Sequence, residues 1–179
     1  MRAFIALPLP GHITSELSRV QNGFYLRNVK LSYVKDFHLT LKFLGDIDDR
    51  KRQEIDGALR NVIFSPFRLT LSDVSGFPTK RKPRVIWAGL KESTDVIALQ
   101  QRIDAGLASL GFTKENDYTP HITLARVKYI ENTKKFEEML DHLTLQPEKM
   151  DMGSFCLFKS DLTPEGPSYT ELHRYLAHS

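Results

Sequence analysis

The sequence predicts an α/β protein of the α+β type, with antiparallel or mixed sheets and flanking helices. Three observations predict the α+β part. Runs of alternating apolar residues recur from one end to the other, and runs with apolar residues three or four apart lie between them. Several strand-like runs follow one another across turn-rich loops, as hairpins do. No stretch reads as a linker, a low-complexity tract or a tail, so residues 1–179 form one domain, compact or of two closely joined lobes.

The elements follow in order. "MRAFIALPL" is a strand ended by prolines, and its single basic residue and missing small-residue cleavage site set it apart from a signal peptide. From Gly11, Ile13, Leu17, Val20 and Phe24 fall at helical spacing. "DFHLTLKFLG" alternates strictly and is bounded by Gly45. Asp48 is placed to cap a helix carrying Ile55, Leu59, Val62 and Ile63 on one side. "FRLTLSDV" and "RVIWAGL" are strands around the loop "SGFPTKRKP". "STDVIALQQRIDAGLASLG" has a helix start, an apolar stripe and a terminal glycine. "HITLARVKY" is a strand after Pro120, and "ENTKKFEEMLDHL" is helical. "MGSFCLFKSDL" and "SYTELHRYL" close the chain as strands around "TPEGP".

Composition narrows the class without naming a function. Hydrophobic residues at 41% and charged residues at 26% are ordinary for a globular protein, and no apolar run is long enough to span a bilayer. The net charge of +3 suits a polyanionic ligand without requiring one. The single cysteine, Cys156, lies among apolar neighbours, reads as a buried structural thiol and suits a reducing, cytoplasmic setting.

One pattern stands above chance. His-x-Thr occurs at His12, His38, His121 and His142. With 6 His and 12 Thr in 179 residues, random placement gives about 0.4 such triplets. The pair converges chemically only on a strand, where residues i and i+2 share a face; in a helix they diverge. His142 follows Phe136, Met139 and Leu140 at helical spacing, and His12 stands at the mouth of a helix, so both are set aside. His38 with Thr40 and His121 with Thr123 are strand-borne.

Two imidazoles across a cleft supply a general acid and a general base near neutral pH, and two threonine hydroxyls can bond the oxygens of a phosphate. That chemistry suits phosphodiester cleavage. No ligand spacing marks a zinc site; "DIDDRKRQE" lacks the glycine of a calcium loop, and no phosphate-binding glycine loop or G-x-S-x-G elbow is present. No metal and no cofactor are expected.

"FHLTLKFLG" and "PHITLAR" resemble the paired H-x-T-x signatures of the 2H phosphoesterases, in particular the RNA 2′,3′-cyclic phosphodiesterases also called 2′-5′ RNA ligases. "MRAFIAL", "FPTKRKPRVIWAGL" and "SDLTPEGPSYTEL" extend the resemblance over nearly the whole chain. It implies a bilobal, pseudo-two-fold fold, with two antiparallel or mixed sheets and flanking helices around a central cleft to which each lobe gives one H-x-T-x strand. It also implies metal-independent opening of an RNA 2′,3′-cyclic phosphate to a 2′-phosphate, with 2′-5′ ligation as the reverse reaction. His38 is then the proton donor, His121 the proton acceptor, and Thr40 and Thr123 hold the phosphate. The partner is an RNA bearing a cyclic phosphate end, and the chain is expected to act as a monomer, away from membranes. Two readings stay open beside it: a phosphodiesterase of small cyclic-phosphate nucleotides or 2′-5′ oligoadenylate, and a non-catalytic RNA-end binder.

Further residues follow from the same resemblance or from their placement. Arg126 matches an arginine common after the second motif and is then a third phosphate-binding residue, though strict alternation from Thr123 turns it to the opposite face unless a bulge intervenes. Lys80, Arg81, Lys82 and Arg84 are candidates to follow an RNA backbone. Lys42 shares the His38 face by alternation. Phe43 and Trp87 can stack on a base, although alternation assigns Phe43 to the core. His173, alternating with Tyr169 and Tyr175, reads as structural.

Overall fold

A computed structural model describes residues 1–164 and 166–178. Nine strands form one sheet in the order β7-β4-β5-β6-β3-β1-β8-β9, with β2 lying along β6. These are β1 (Arg2–Pro8), β2 (Val29–Tyr33), β3 (His38–Asp46), β4 (Phe67–Phe77), β5 (Val85–Lys91), β6 (Ile122–Ile130), β7 (Lys149–Met152), β8 (Ser154–Thr163) and β9 (Gly166–Leu176). Every pairing is antiparallel. The expectation of two sheets is corrected to one, and the reason is a narrow seam. The strands of the two halves meet at β3 and β6 through a single register pair, Leu39 opposite Ile122.

The strand order explains why the chain reads as two related halves. Exchanging β1 with β5, β3 with β6 and β8 with β4 turns β4-β5-β6-β3-β1-β8 into its own reverse. The helices α1 (Gly11–Gln21), α2 (Asp49–Leu59), α3 (Thr94–Leu107) and α4 (Thr133–His142) obey the same exchange, since α1 and α3 follow β1 and β5 while α2 and α4 follow β3 and β6.

The helices cover one face and leave the other for the site. Their apolar stripes are buried: Ile13, Leu17 and Val20 on α1, Ile55 and Leu59 on α2, Leu99 and Ile103 on α3, Phe136 and Leu140 on α4. The Asp48 carboxylate accepts from the Lys51 backbone N–H at 2.7 Å, satisfying one of the orphan donors at the start of α2, as the sequence predicts. That helix stops at Leu59, so Val62 is still buried but Ile63, expected on the same stripe, is 65% exposed. The glycine predicted to end α3 is Gly111, in the left-handed region at φ +86° after a short 3₁₀ turn, where other residues are strained. Cys156 is buried in β8, and burial pushes its thiol up to about 12, away from nucleophilic chemistry. Among the described residues, no helix is long and apolar enough to cross a membrane.

Candidate active site

The site is built where β3 and β6 meet. Leu39 and Ile122 point into the core and are fully buried, so the residues on either side of each point to the opposite face. His38, Thr40, His121 and Thr123 therefore share that face. The antiparallel register sets His38 across from Thr123 and Thr40 across from His121. The two histidines are diagonal neighbours, a relationship that spaces Cα atoms by about 7–8 Å.

Both imidazoles are held in the same way. His38 Nδ1 donates to the carbonyl of Asp36 at 3.1 Å, and His121 Nδ1 donates to the carbonyl of Thr119 at 2.7 Å. A carbonyl only accepts, so Nδ1 carries the hydrogen and Nε2 is the nitrogen left to exchange a proton. Aromatic rings fix each imidazole laterally. Phe4 lies 4.8 Å from His38 and Tyr169 meets it edge-on at 5.0 Å, while Phe77 meets His121 edge-on at 5.1 Å with Trp87 at 6.2 Å. Burial lowers the pKa of His38, opposed by the hydrogen bond to Asp36 and the Asp36 charge, and the net shift is below the ordinary imidazole value.

Bulges decide which later residues join them. Between β1 and β3, Ala6 pairs with Thr40 and Ile5 with Lys42, so Leu41 is skipped. Between β5 and β6, Trp87 pairs with Thr123 and Ile86 with Ala125, so Leu124 is skipped. Each extra residue reverses the alternation beyond it. His38, Thr40 and Phe43 thus share one face of β3, and His121, Thr123 and Arg126 share the corresponding face of β6, at identical spacing.

Two expectations are thereby corrected. Phe43, assigned to the core by strict alternation, is 66% exposed and lines the cleft. Lys42, placed on the His38 face, is buried on the other side, where its ammonium pairs with Asp104 of α3 and donates to the Thr113 carbonyl at 2.8 Å. Arg126, which strict alternation turned away, comes to the cleft through the bulge.

An open cleft is lined by His38, Thr40, Phe43, Thr123, Arg126 and Tyr169, among others. His121 flanks it against Phe77 and Trp87. Tyr169 was assigned no part in the site from sequence; β9 alone brings it there, and one tyrosine among six carries no local signal. The loop between β4 and β5 begins and ends beside the site, since Phe77 packs on His121 and the Arg84 carbonyl accepts from the Val127 N–H at 2.9 Å. Arg81, Lys82 and Arg84 are exposed, and Lys80 is held by Asp141 of α4 at 2.9 Å; none of the four lines this cleft.

The remaining histidines are placed by their backbone or by packing. His12 bonds the Lys149 carbonyl at 2.9 Å, and His142 ends α4 with Nδ1 donating to the Glu138 carbonyl at 2.6 Å. The His173 ring lies tilted against Tyr175 at 4.7 Å, and the Tyr175 hydroxyl donates to Asp56 at 2.7 Å. Among the described residues, no three His, Cys, Asp or Glu side chains gather in a group that could hold a metal ion.

A nine-stranded antiparallel sheet with strand-borne His-x-Thr pairs on one face at its centre places this chain in the class of 2H phosphoesterases. The family model of the 2′-5′ RNA ligase superfamily matches residues 10–164, and the chain belongs to that family. Curated relatives bearing the name RNA 2′,3′-cyclic phosphodiesterase include one from Methanocaldococcus jannaschii, 35% identical with 94% of this chain and 96% of the relative covered. Another, from Thermotoga maritima, is 31% identical with 97% and 94% covered. Among solved structures, TT0787 of Thermus thermophilus is similar at a TM-score of 0.83 and 27% identity, covering 98% of this chain and 97% of the other. E. coli LigT complexed with 3′-AMP is similar at 0.77 and 25% identity, covering 99% and 98%.

Proposed function

We propose that the protein opens the 2′,3′-cyclic phosphate at the end of an RNA and leaves a 2′-phosphomonoester. The observation that carries the reading is the Leu39–Ile122 register, which sets two His-Thr pairs on one face, each imidazole with its Nδ1 engaged and its Nε2 available. The names of the relatives supply the substrate class.

In this reading, Nε2 of His121 takes a proton from water as the water oxygen attacks phosphorus. The bond from phosphorus to the 3′-oxygen breaks, and protonated Nε2 of His38 gives its proton to that oxygen. Thr40, Thr123 and Arg126 hold the nonbridging oxygens as charge builds on them. After the reaction His38 is neutral and His121 is protonated, so exchange with solvent restores the starting state. With a 5′-hydroxyl attacking phosphorus in place of water, the same forward steps form a 2′-5′ linkage, so ligation is an alternative outcome of ring opening and not its reversal. All these groups come from one chain, which is consistent with a monomer, and the lone buried Cys156 fits a reducing cytoplasm.

The test uses a short RNA ending in a 2′,3′-cyclic phosphate, with excess EDTA and with identification of the product end. Conversion to a 2′-phosphate is expected. His38→Ala and His121→Ala each lower the rate by about 10²–10⁴, and His142→Ala leaves it unchanged. Activity that survives both of the first two changes removes the two-histidine reading; tight binding with no product makes the protein an RNA-end binder.

A further inference from the structure

Beyond the catalytic groups, the same face of the sheet continues along β6. The register of β2 and β6 sets Ser32 opposite Arg126, Leu31 opposite Val127 and Lys30 opposite Tyr129, skipping Lys128. Residues directly opposite one another share a face, and Lys30 and Ser32 alternate onto the same face of β2. Arg126, Ser32, Lys30 and Tyr129 therefore extend the face that carries Thr123 and His121. Three features of this extension stand out. Tyr129 is 50% exposed, a large ring on open sheet. Lys30 and Lys128 are exposed beside it. Among the described residues the ion pairs occupy other cations, and Lys30, Arg126 and Lys128 stand outside them. The nearest acid at that end, Glu131, accepts from the Asn28 side chain.

From these placements we infer that β2 and β6 form a track for the single-stranded body of the RNA, leading 5′-ward from the cyclic phosphate. This rests on the proposed function, and it says where the rest of that substrate lies. Lys30 and Lys128 neutralise backbone phosphates, and Tyr129 is the platform for a base at least one nucleotide removed from the reacting end. A basic strip interleaved with an exposed aromatic is the pattern that holds single strands without reading their sequence. The strand rise puts Tyr129 roughly 7–10 Å beyond Arg126, out of contact with the reacting phosphate. The β4–β5 loop is the competing path. The β2–β6 path is favoured by continuity: Arg126 lines the cleft and lies opposite Ser32 on the strand that carries Lys30, whereas Lys80 of the loop is held by Asp141.

The experiment compares a cyclic mononucleotide with a hexanucleotide, both ending in a 2′,3′-cyclic phosphate. It adds the binding of a fluorescent hexanucleotide that ends in a 2′-phosphate, a readout that needs no turnover. Tyr129→Ala is expected to raise KM for the hexanucleotide and weaken its binding about tenfold. Lys30→Ala lowers the salt dependence of that binding by about 0.7 in logarithmic slope. Tyr129→Phe, which keeps the ring, behaves as the unaltered protein. Mononucleotide turnover stays within about twofold in all three, since none touches the reacting groups. Three results overturn the track: unchanged hexanucleotide binding, equal losses on both substrates, or a loss that follows an Arg81→Ala/Lys82→Ala variant in place of these. Failure of the unaltered protein to turn over either substrate counts against the catalytic reading, and the binding arm still decides the track.

Discussion

Leu39 of β3 lies opposite Ile122 of β6, and both side chains are fully buried. This pair fixes which face each histidine takes and how far apart the two lie, because a shift of one residue in its register turns every neighbour to the other side. Little else of the ladder joins the halves at this point. The Tyr118 hydroxyl, from the segment before β6, donates to the Thr40 carbonyl on β3 at 2.9 Å and adds a second tie next to the first. The alignment of the two His-Thr pairs thus depends on a short seam that is both core and candidate site.

Weakening that seam is expected to affect stability and catalysis together. Leu39→Ala removes a fully buried side chain and should cost about 2–5 kcal/mol of folding stability, whereas Ile122→Val should cost about 0.5–1.5 kcal/mol. Urea unfolding measures both. In Leu39→Ala, kcat on the cyclic phosphate should fall even where the protein remains folded, because the diagonal spacing of His38 and His121 is no longer imposed. A folded Leu39→Ala protein with full kcat would show that the seam does not set the geometry.

Much of this was legible in the sequence, and the misplaced residues of β3 and β6 share a cause. Alternation located both strands and chose His38 and His121 over His12 and His142, because periodicity of 2 and of 3.6 distinguishes a converging His-Thr pair from a diverging one. It failed beyond Leu41 and Leu124, where a bulge adds a residue that no local pattern announces. Lys42 and Phe43 were exchanged between faces for that reason alone, and Arg126 was left undecided. Tyr169 lay beyond reach for another reason: it comes to His38 through the pairing of β1 with β8 and β8 with β9, contacts distant in sequence.

The misplaced Lys42 leads to a prediction about acid stability. Its ammonium lies buried against the Asp104 carboxylate, which also accepts from the Glu115 N–H and the Gln100 amide at 2.8 Å each. Burial pushes the Asp104 carboxyl up, but these hydrogen bonds and the Lys42 charge together leave it below its ordinary value of 3.8. The unfolded chain therefore binds the proton at higher pH than the folded one. The stabilisation is complete above about pH 5 and is lost as pH falls through 3.8 towards the depressed folded value. Asp104→Ala, which leaves a buried ammonium with only the Thr113 carbonyl, should cost about 3–5 kcal/mol at neutral pH, and Lys42→Met less, because the carboxylate keeps the Glu115 N–H and the Gln100 amide. Urea midpoints at about pH 7 and about pH 3 check both statements. Equal losses for the two variants would contradict them.

His38 should titrate below an ordinary imidazole in the free protein. Burial against Phe4 and Tyr169 disfavours its charged form, and Asp36 opposes that effect through its carbonyl and its charge. Asp36→Asn keeps the backbone carbonyl and removes the charge, so it should lower the pKa further. Nuclear magnetic resonance of the imidazole ring carbons against pH reads this directly. If His38 is the general acid of the proposed reaction, it acts when protonated, and the alkaline limb of kcat/KM should move to lower pH in Asp36→Asn. A shift to higher pH in either measurement would mean that Asp36 does not support the charged imidazole.

Arg126 reaches the cleft only because Leu124 is skipped, and the bulge is held from outside the strand. The Leu124 carbonyl accepts the Val34 N–H at 3.0 Å and the Gln21 side-chain amide at 2.7 Å, and the same amide donates to the Val34 carbonyl at 2.8 Å. If Arg126 stabilises the charge that builds on phosphate, Arg126→Ala should lower kcat/KM about 10²–10³-fold. Arg126→Lys should restore part of that loss, since an ammonium keeps the charge without the guanidinium fork. Gln21→Ala should lower kcat/KM by a smaller factor, because it releases the carbonyl that shapes the bulge and lets Arg126 turn from the cleft. The two losses should then fail to add: in an Arg126→Ala background, Gln21→Ala has no aim left to disturb, and its effect on rate should vanish while its effect on stability remains. A double-mutant cycle on kcat/KM separates these cases, and additive losses would show that Gln21 supports the fold without positioning Arg126.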